Sequence, residues 1–337
     1  MPLAPELIAL ISGRGPITVA EYMGRCNTHY YATRDPFGVQ GDFTTAPEIS
    51  QIFGELIGAW LADTWQKMGE KRALLCELGP GRGTLMKDAL RATQKPAGFH
   101  DAIDIRLIET SPVLQKIQQK YLGGAHPRIT WQETLEDIPP LPLLLIANEF
   151  FDALPVEQYV LMESGWTERR IGYKDSAFTF LPEEGFVREE SPASILTMTQ
   201  ITAHIQRFGG AALVIDYGYD LPPGSGNGPT LQGLRSHKQV SVLEHPGEVD
   251  LTVHVNFTAL AKAAKETGTT VHGTVEQGTF LKRLGAEFRA MALCKNATPE
   301  QREEILSGLE RLVAPHQMGG LFKVMAITSS LEAPAGF

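Results

Sequence analysis

In the stretch PLLLIANEFFDALPVEQY (142–159), an apolar run stops at an amide and is followed by acids: Asn148, then Glu149, Asp152 and Glu157. Phe150 and Phe151 lie between Glu149 and Asp152. Carboxylates on separate faces can orient a cation and draw positive charge away from an attacking nitrogen. A guanidinium is the side chain that needs this help, because with a pKa above about 12 it stays protonated and delocalised. Glu149 and Glu157, on either side of Pro155, form the candidate pair, and Asp152 is a substitute partner. The two phenylalanines can stack on a guanidinium or cover a neighbouring ligand, although aromatic residues in such a place are more often core. His254, in DLTVHVNF, is the candidate for receiving a proton or orienting a glutamate, with Asp216 of VIDYGY as its expected partner. No HxH or HExxH spacing occurs among the histidines, so no metal site is expected.

A second group of residues has binding chemistry. CELGPGRGTLMKDAL (76–90) reads as a strand, a glycine turn and a helix. Gly79, Gly81 and Gly83 let the backbone turn tightly and approach a ligand in front of the free N–H groups of the helix N-terminus. Glu77 closes the strand before the turn. The next strand ends in Glu109, where a carboxylate can accept both hydroxyls of a ribose. A dinucleotide site prefers G-x-G-x-x-G with its acid about 20 residues on. Here the spacing is G-x-G-x-G, one acid precedes the loop, and the second comes later. An acid before the loop sits badly beside a pyrophosphate and well beside an ammonium, which favours S-adenosylmethionine over a nicotinamide dinucleotide.

The elements that must hold these residues follow from periodicity. Short apolar runs, 73–78, 103–109, 128–132, 142–148 and 211–216, alternate with helical stretches of which 84–93 and 112–121 are the clearest. That alternation predicts a parallel sheet covered on both faces. Residues 4–68 read as helical. TAPEISQIFGELIGAWLADTW opens with a capping-box pattern, Thr45 and Glu48, and continues as one amphipathic helix. Segment 34–45 reads as a Gly/Pro/Asp loop, 157–182 as an inserted antiparallel meander and 221–250 as a long loop over the sheet. A strand near 269–274, a helix at 299–313 and a last strand at 321–328 complete the chain. That last strand is expected to be antiparallel, at the sheet edge.

The 337 residues suit one large or two ordinary domains. A net charge of −9 without a basic block argues against nucleic acid as partner. No apolar run reaches the roughly 20 residues of a membrane span. Cys26, Cys76 and Cys294 form no CxxC pair, which fits a reducing compartment. Residues 1–20 lack the pattern of a signal or transit peptide, and a cytoplasmic location is expected.

GDFTTAPEISQIFGELIGAW, ELGPGRGTLM, NEFFDALPVEQY, VIDYGY, DLTVHVNF and EQGTFL, in this order, closely resemble the MidA-like methyltransferases. The family includes the mitochondrial arginine methyltransferase of respiratory complex I assembly. The resemblance covers nearly the whole chain. It implies a class I methyltransferase fold, which is α/β and Rossmann-like with a seven-stranded, mostly parallel sheet, and S-adenosyl-L-methionine as methyl donor. It also implies an arginine acceptor on a protein such as a complex I subunit. Carried over by position, Gly79, Gly81 and Gly83 line the methionine part, Glu109 holds the ribose, and Gln132 and Glu133 flank the adenine. Thr44, Thr45 and Glu48 close over the cofactor, and Glu77 and Asn148 face it. The expected organisation is a helical extension (1–70), a methyltransferase core (71–156 and 211–330) and insertions (157–210 and 221–268) forming a substrate-side subdomain. Three alternatives remain open: a small-molecule acceptor, another protein residue, or an assembly factor that keeps the fold without turnover.

Overall fold

The structure, a computed structural model, describes residues 2–34, 44–220, 228–329 and 332–337. Its centre is a sheet of β1 (Ala73–Leu78), β2 (Ile103–Ile108), β3 (Ile129–Gln132), β4 (Leu143–Asn148), β5 (Gly210–Tyr219), β6 (Thr270–Glu276) and β7 (Phe322–Thr328). They lie in the order β6-β7-β5-β4-β1-β2-β3, and the short strand Val255–Asn256 adds to β5. Neighbours from β5 to β3 are parallel. This is the fold expected of a class I methyltransferase.

Alternate residues of each central strand go to opposite faces, so a continuous apolar run feeds two cores at once. Leu75, Ile105, Leu144, Ile146 and Leu213 join helices Gln51–Lys67 and Thr84–Ala92 on one side. Leu74, Cys76, Leu145, Ala212 and Val214 join helices Pro192–Phe208 and Phe257–Glu266 on the other. Gln51–Lys67 lies so close to Thr84–Ala92 that a Cβ on Gly58 would stand 2.7 Å from the Ala89 Cα. A third cluster gathers Leu7, Tyr22, Met23, Val156, Ile171 and Leu251. It joins the first two helices, Ala4–Arg14 and Val19–Thr33, to the inserted strands.

Four expectations need correction. The last strand is antiparallel, yet it lies between β5 and β6, and β6 forms the edge. The helix expected from Thr45 is broken: Ala46–Ile49 ends at Ser50, whose backbone is extended and whose Oγ accepts from the Ile52 N–H at 3.3 Å to start a new helix. Thr45 makes no side-chain cap, so the capping box is absent. The meander divides between two antiparallel sheets, because Arg169 separates Gly165–Glu168 from Arg170–Lys174. Within 221–250, Gln232–Arg235 and Lys238–Val240 pair with each other, and the first also pairs with Asp250–Thr252. Residues 35–43, most of the expected 34–45 loop, and 221–227 lie outside the described residues.

Candidate active site

The site begins at the carboxyl end of β1. The three glycines have φ of 58°, 55° and 86°, left-handed values that disfavour a side chain, and Gly83 starts helix Thr84–Ala92. A Cβ on Gly79 would stand 3.1 Å from the Phe150 ring. The turn opens into a cavity of about 800 Å³, within the usual range for a small-molecule site.

Glu77 is buried in its wall, and one carboxylate oxygen, Oε2, has no partner among the described residues. Burial pushes its pKa up to about 8. Such an orphaned buried acceptor needs a donor, and an ammonium supplies both charge and protons. Asn148 Oδ1 is a second buried acceptor without a partner among the described residues.

Glu109 is held from two sides, accepting from the Ser111 N–H at 2.8 Å and from Gln118 Nε2 at 3.0 Å. Gln118 also donates to the Gly81 carbonyl at 2.7 Å and accepts from Trp131 Nε1 at 2.8 Å. One buried amide therefore ties the glycine turn to the Glu109 carboxylate. Sequence reading missed Gln118, since a glutamine inside a helix carries no local signature. Burial raises the Glu109 pKa.

Thr44, Thr45 and Glu48 all line the cavity. Glu48 accepts a short hydrogen bond from Thr84 Oγ1, and its other oxygen lies 3.7 Å from Arg82. The N-terminal motif is thus fastened to the helix behind the glycine turn. Gln132 and Glu133 do not reach the wall: Gln132 Nε2 approaches the Asp137 carbonyl at 3.4 Å, and Glu133 is exposed. Together the orphaned Glu77 acceptor, the glycine turn and the Glu109 carboxylate have the chemistry that an ammonium and a ribose of S-adenosyl-L-methionine would need.

Part of the cavity wall is acidic. Glu149 follows β4 with φ 50°, a left-handed conformation for a non-glycine residue, which costs of order 1–3 kcal/mol and persists where surrounding contacts impose it. Those contacts are its N–H to the Ile215 carbonyl at 2.9 Å and its Oε1, which accepts from the Ala46 N–H at 3.1 Å and Asn148 Nδ2 at 3.3 Å. Burial, and then the charge of Asp152, push its pKa up to about 8. Asp152 is pushed up to about 6, again chiefly by burial, and is hydrogen-bonded by Tyr217.

Asp250, also missed, lines the same wall and accepts from the Tyr31 hydroxyl at 2.7 Å. It stands four residues before His254 in the motif that drew attention to the histidine. Asn27 sets both Asp152 and Asp250 in place. Its Nδ2 donates to the Ala153 and Leu251 carbonyls at 3.0 and 2.8 Å, and its Oδ1 accepts from the Leu251 N–H at 3.3 Å.

Three expectations change here. Glu157 lies outside the cavity, on the strand that leaves it, and its carboxylate accepts from the Tyr159 hydroxyl at 2.7 Å. Asp216 is wholly buried and spends its oxygens on backbone: Oδ2 accepts from the Phe151 and Asp152 N–H groups at 3.0 and 3.3 Å, and Oδ1 from the Tyr217 N–H at 2.9 Å. It shapes the turn carrying Asp152 and leaves His254 without the expected partner. His254 lines the cavity edge-on to Tyr217, its pKa lowered by burial. Phe151 is core, while Phe150 covers the glycine turn.

The model of a family of S-adenosyl-L-methionine-dependent methyltransferases matches residues 56–275. The chain belongs to this family. The methyltransferase is 38% identical to the mitochondrial protein arginine methyltransferase NDUFAF7 homolog of Drosophila melanogaster, covering 96% of this chain and 84% of the relative. It is 34% identical to the mitochondrial protein arginine methyltransferase NDUFAF7 of Homo sapiens, covering 97% and 83%. A crystal structure from Burkholderia thailandensis, bound to S-adenosyl-homocysteine, superposes with a TM-score of 0.84 at 25% identity, covering 99% of this chain and 93% of that one. The methyltransferase therefore uses S-adenosyl-L-methionine. These curated relatives are mitochondrial proteins, and this overturns the cytoplasmic location expected from the sequence. Among the described residues no helix is long and apolar enough to cross a membrane.

Proposed function

We propose that the methyltransferase transfers a methyl group to an arginine of a protein substrate. The resemblance read from the sequence makes a subunit of respiratory complex I the first candidate. One observation supports the acceptor most: the cavity that holds the cofactor residues is also lined by Glu149, Asp152 and Asp250, three acids from two separate segments around one space.

S-adenosyl-L-methionine supplies an electrophilic methyl group on a sulfonium. The residues around it have to seat a guanidinium in line with that methyl group and exclude water. Tyr31 and Tyr217 donate to Asp250 and Asp152, which holds each carboxylate in one orientation beside the cavity. Both phenols have raised pKa values, chiefly from burial, so they stay protonated and serve as donors. A permanently charged guanidinium lowers the cost of ionising Glu149 and draws its pKa down from about 8. One proton must leave the guanidinium as the nitrogen–carbon bond forms, and Glu149, oriented by Ala46 and Asn148, is the group to receive it.

The test supplies labelled S-adenosyl-L-methionine with purified complex I subunits and with short arginine, lysine and glutamine peptides, and locates the label by mass spectrometry. Methylarginine is expected. Label found on lysine, glutamine or a small molecule, with arginine unmodified, overturns the acceptor.

A further inference from the structure

Residues Glu157–Met162 form the middle strand of a small antiparallel sheet, with Phe186–Glu190 on one side and Gly165–Glu168 on the other. Its register sorts the side chains into two faces. Val160, Val187, Gln158 and Glu189 are buried on the inner face. On the outer face Glu190 stands opposite Glu157, Arg188 and Glu168 flank Tyr159, and Phe186 and Trp166 flank Leu161.

Phe186, Leu161 and Trp166 are 53%, 49% and 40% exposed, and the two rings are 6.2 Å apart. Three large apolar side chains at the solvent end of one sheet face mark an interaction surface. On the outer face Glu157 and Glu190 form the acidic row; Arg188 lies 3.0 Å from Glu190 and 4.5 Å from the Trp166 ring centroid, while Glu168 is paired with Arg170 at 2.5 Å.

The face is continuous with the active site. Pro155 lines the cavity two residues before Glu157, and Ser191, next after Glu190, donates to the Pro155 carbonyl at 2.8 Å. The acidic row is thus nearest the cavity, and the aromatic row lies four residues along the strand, roughly 13 Å at about 3.3 Å per residue.

We propose that this face docks the part of the protein substrate that flanks the methylated arginine. It fits a segment with Lys or Arg next to the target and large apolar side chains about four residues further on. The proposal rests on the arginine reading given above, and its test separates the two. The probe is a dye-labelled synthetic peptide with a central arginine, flanked on one side by lysines and then leucine and phenylalanine; a control peptide carries serine and glutamate there. Binding is read by fluorescence anisotropy with S-adenosyl-homocysteine present, and transfer by mass spectrometry, for the wild type and for Trp166→Ser/Phe186→Ser.

Wild type should bind the first peptide at least about tenfold more tightly than the control, and the variant should lose that preference. The variant should also keep wild-type turnover of N-acetyl-arginine amide, because neither ring lines the cavity. Equal binding of both peptides by wild type, or equal binding by wild type and variant, overturns the docking face. So does a variant whose only change is in oligomeric state by light scattering, since the face would then join two copies of the chain. Flank-dependent binding without any methylarginine would sustain the face and overturn the arginine reading.

Discussion

The two halves of the cavity are built differently. The half we assign to the donor comes from one stretch, with Glu77, the glycine turn, Glu109 and Gln118 lying within 42 residues of chain and joined by two parallel strands. The half we assign to the acceptor takes Tyr31 from an N-terminal helix, Glu149 and Asp152 from the end of β4, Tyr217 from β5 and Asp250 from a small separate sheet. A local cradle recognises a ligand shared by many enzymes. An acidic wall drawn from distant segments can change its acceptor one element at a time. Substitutions in the two halves should therefore separate cofactor affinity from transfer.

Glu149→Gln breaks that separation most sharply if it fails. Transfer to an arginine peptide should fall by about 10³-fold, as for loss of a proton-accepting group in a preorganised site. The dissociation constant for S-adenosyl-L-methionine should stay within about threefold. Isothermal titration beside initial rates decides this, and a cofactor affinity that collapses with activity would merge the two halves.

Asp250→Asn should cost about 10–100-fold in kcat/KM for the acceptor, the loss of one charged hydrogen bond worth about 1.5–3 kcal/mol. An unchanged value would remove Asp250 from the wall. Glu109→Ala should do the reverse, raising the cofactor dissociation constant by about tenfold or more with kcat retained at saturation.

A smaller effect follows from titration. Glu77 and Glu149 both have pKa values raised from 4.5 to about 8. The folded protein thus holds protons that the unfolded chain has released, and this stability is complete below 4.5 and lost as pH rises through 8. An ammonium beside Glu77 reverses that loss, so S-adenosyl-L-methionine should raise the Tm further at pH 8 than at pH 6 in scanning fluorimetry. A larger shift at pH 6 would turn Glu77 away from the ammonium. The smallest effect is expected at Glu157, which lies outside the cavity. Glu157→Gln should change transfer to N-acetyl-arginine amide, which has no flanking residues to reach the docking face, by less than about twofold, because its carboxylate meets a hydroxyl outside the cavity.

The same contrast governs what could be read in advance. The central strands β1 and β4 were visible because full burial on two faces demands a largely apolar run, as ALLCEL and LLLIAN show. The glycine turn was visible because left-handed backbone selects glycine. The position of β7 was not, since an antiparallel strand can pair at an edge or insert, and only helix packing decides which. Glu48 followed a capping-box pattern, yet its partners proved to be Thr84 and Arg82, more than 30 residues away. Asp250 and Glu157 both look like ordinary acids in sequence; one is buried against Tyr31 and the other lies on a strand leaving the cavity.

The order of residues alone determined the alternating strands and helices, the glycine turn and the acids that end β1 and β2, because each depends on neighbours within a few turns of chain. Only the tertiary structure decided which carboxylates share the acceptor space, what holds Glu149 in a left-handed backbone, and why Asp216 serves the turn rather than His254. Those choices depend on burial and on hydrogen bonds between segments up to 224 residues apart, a separation over which sequence spacing has no physical meaning.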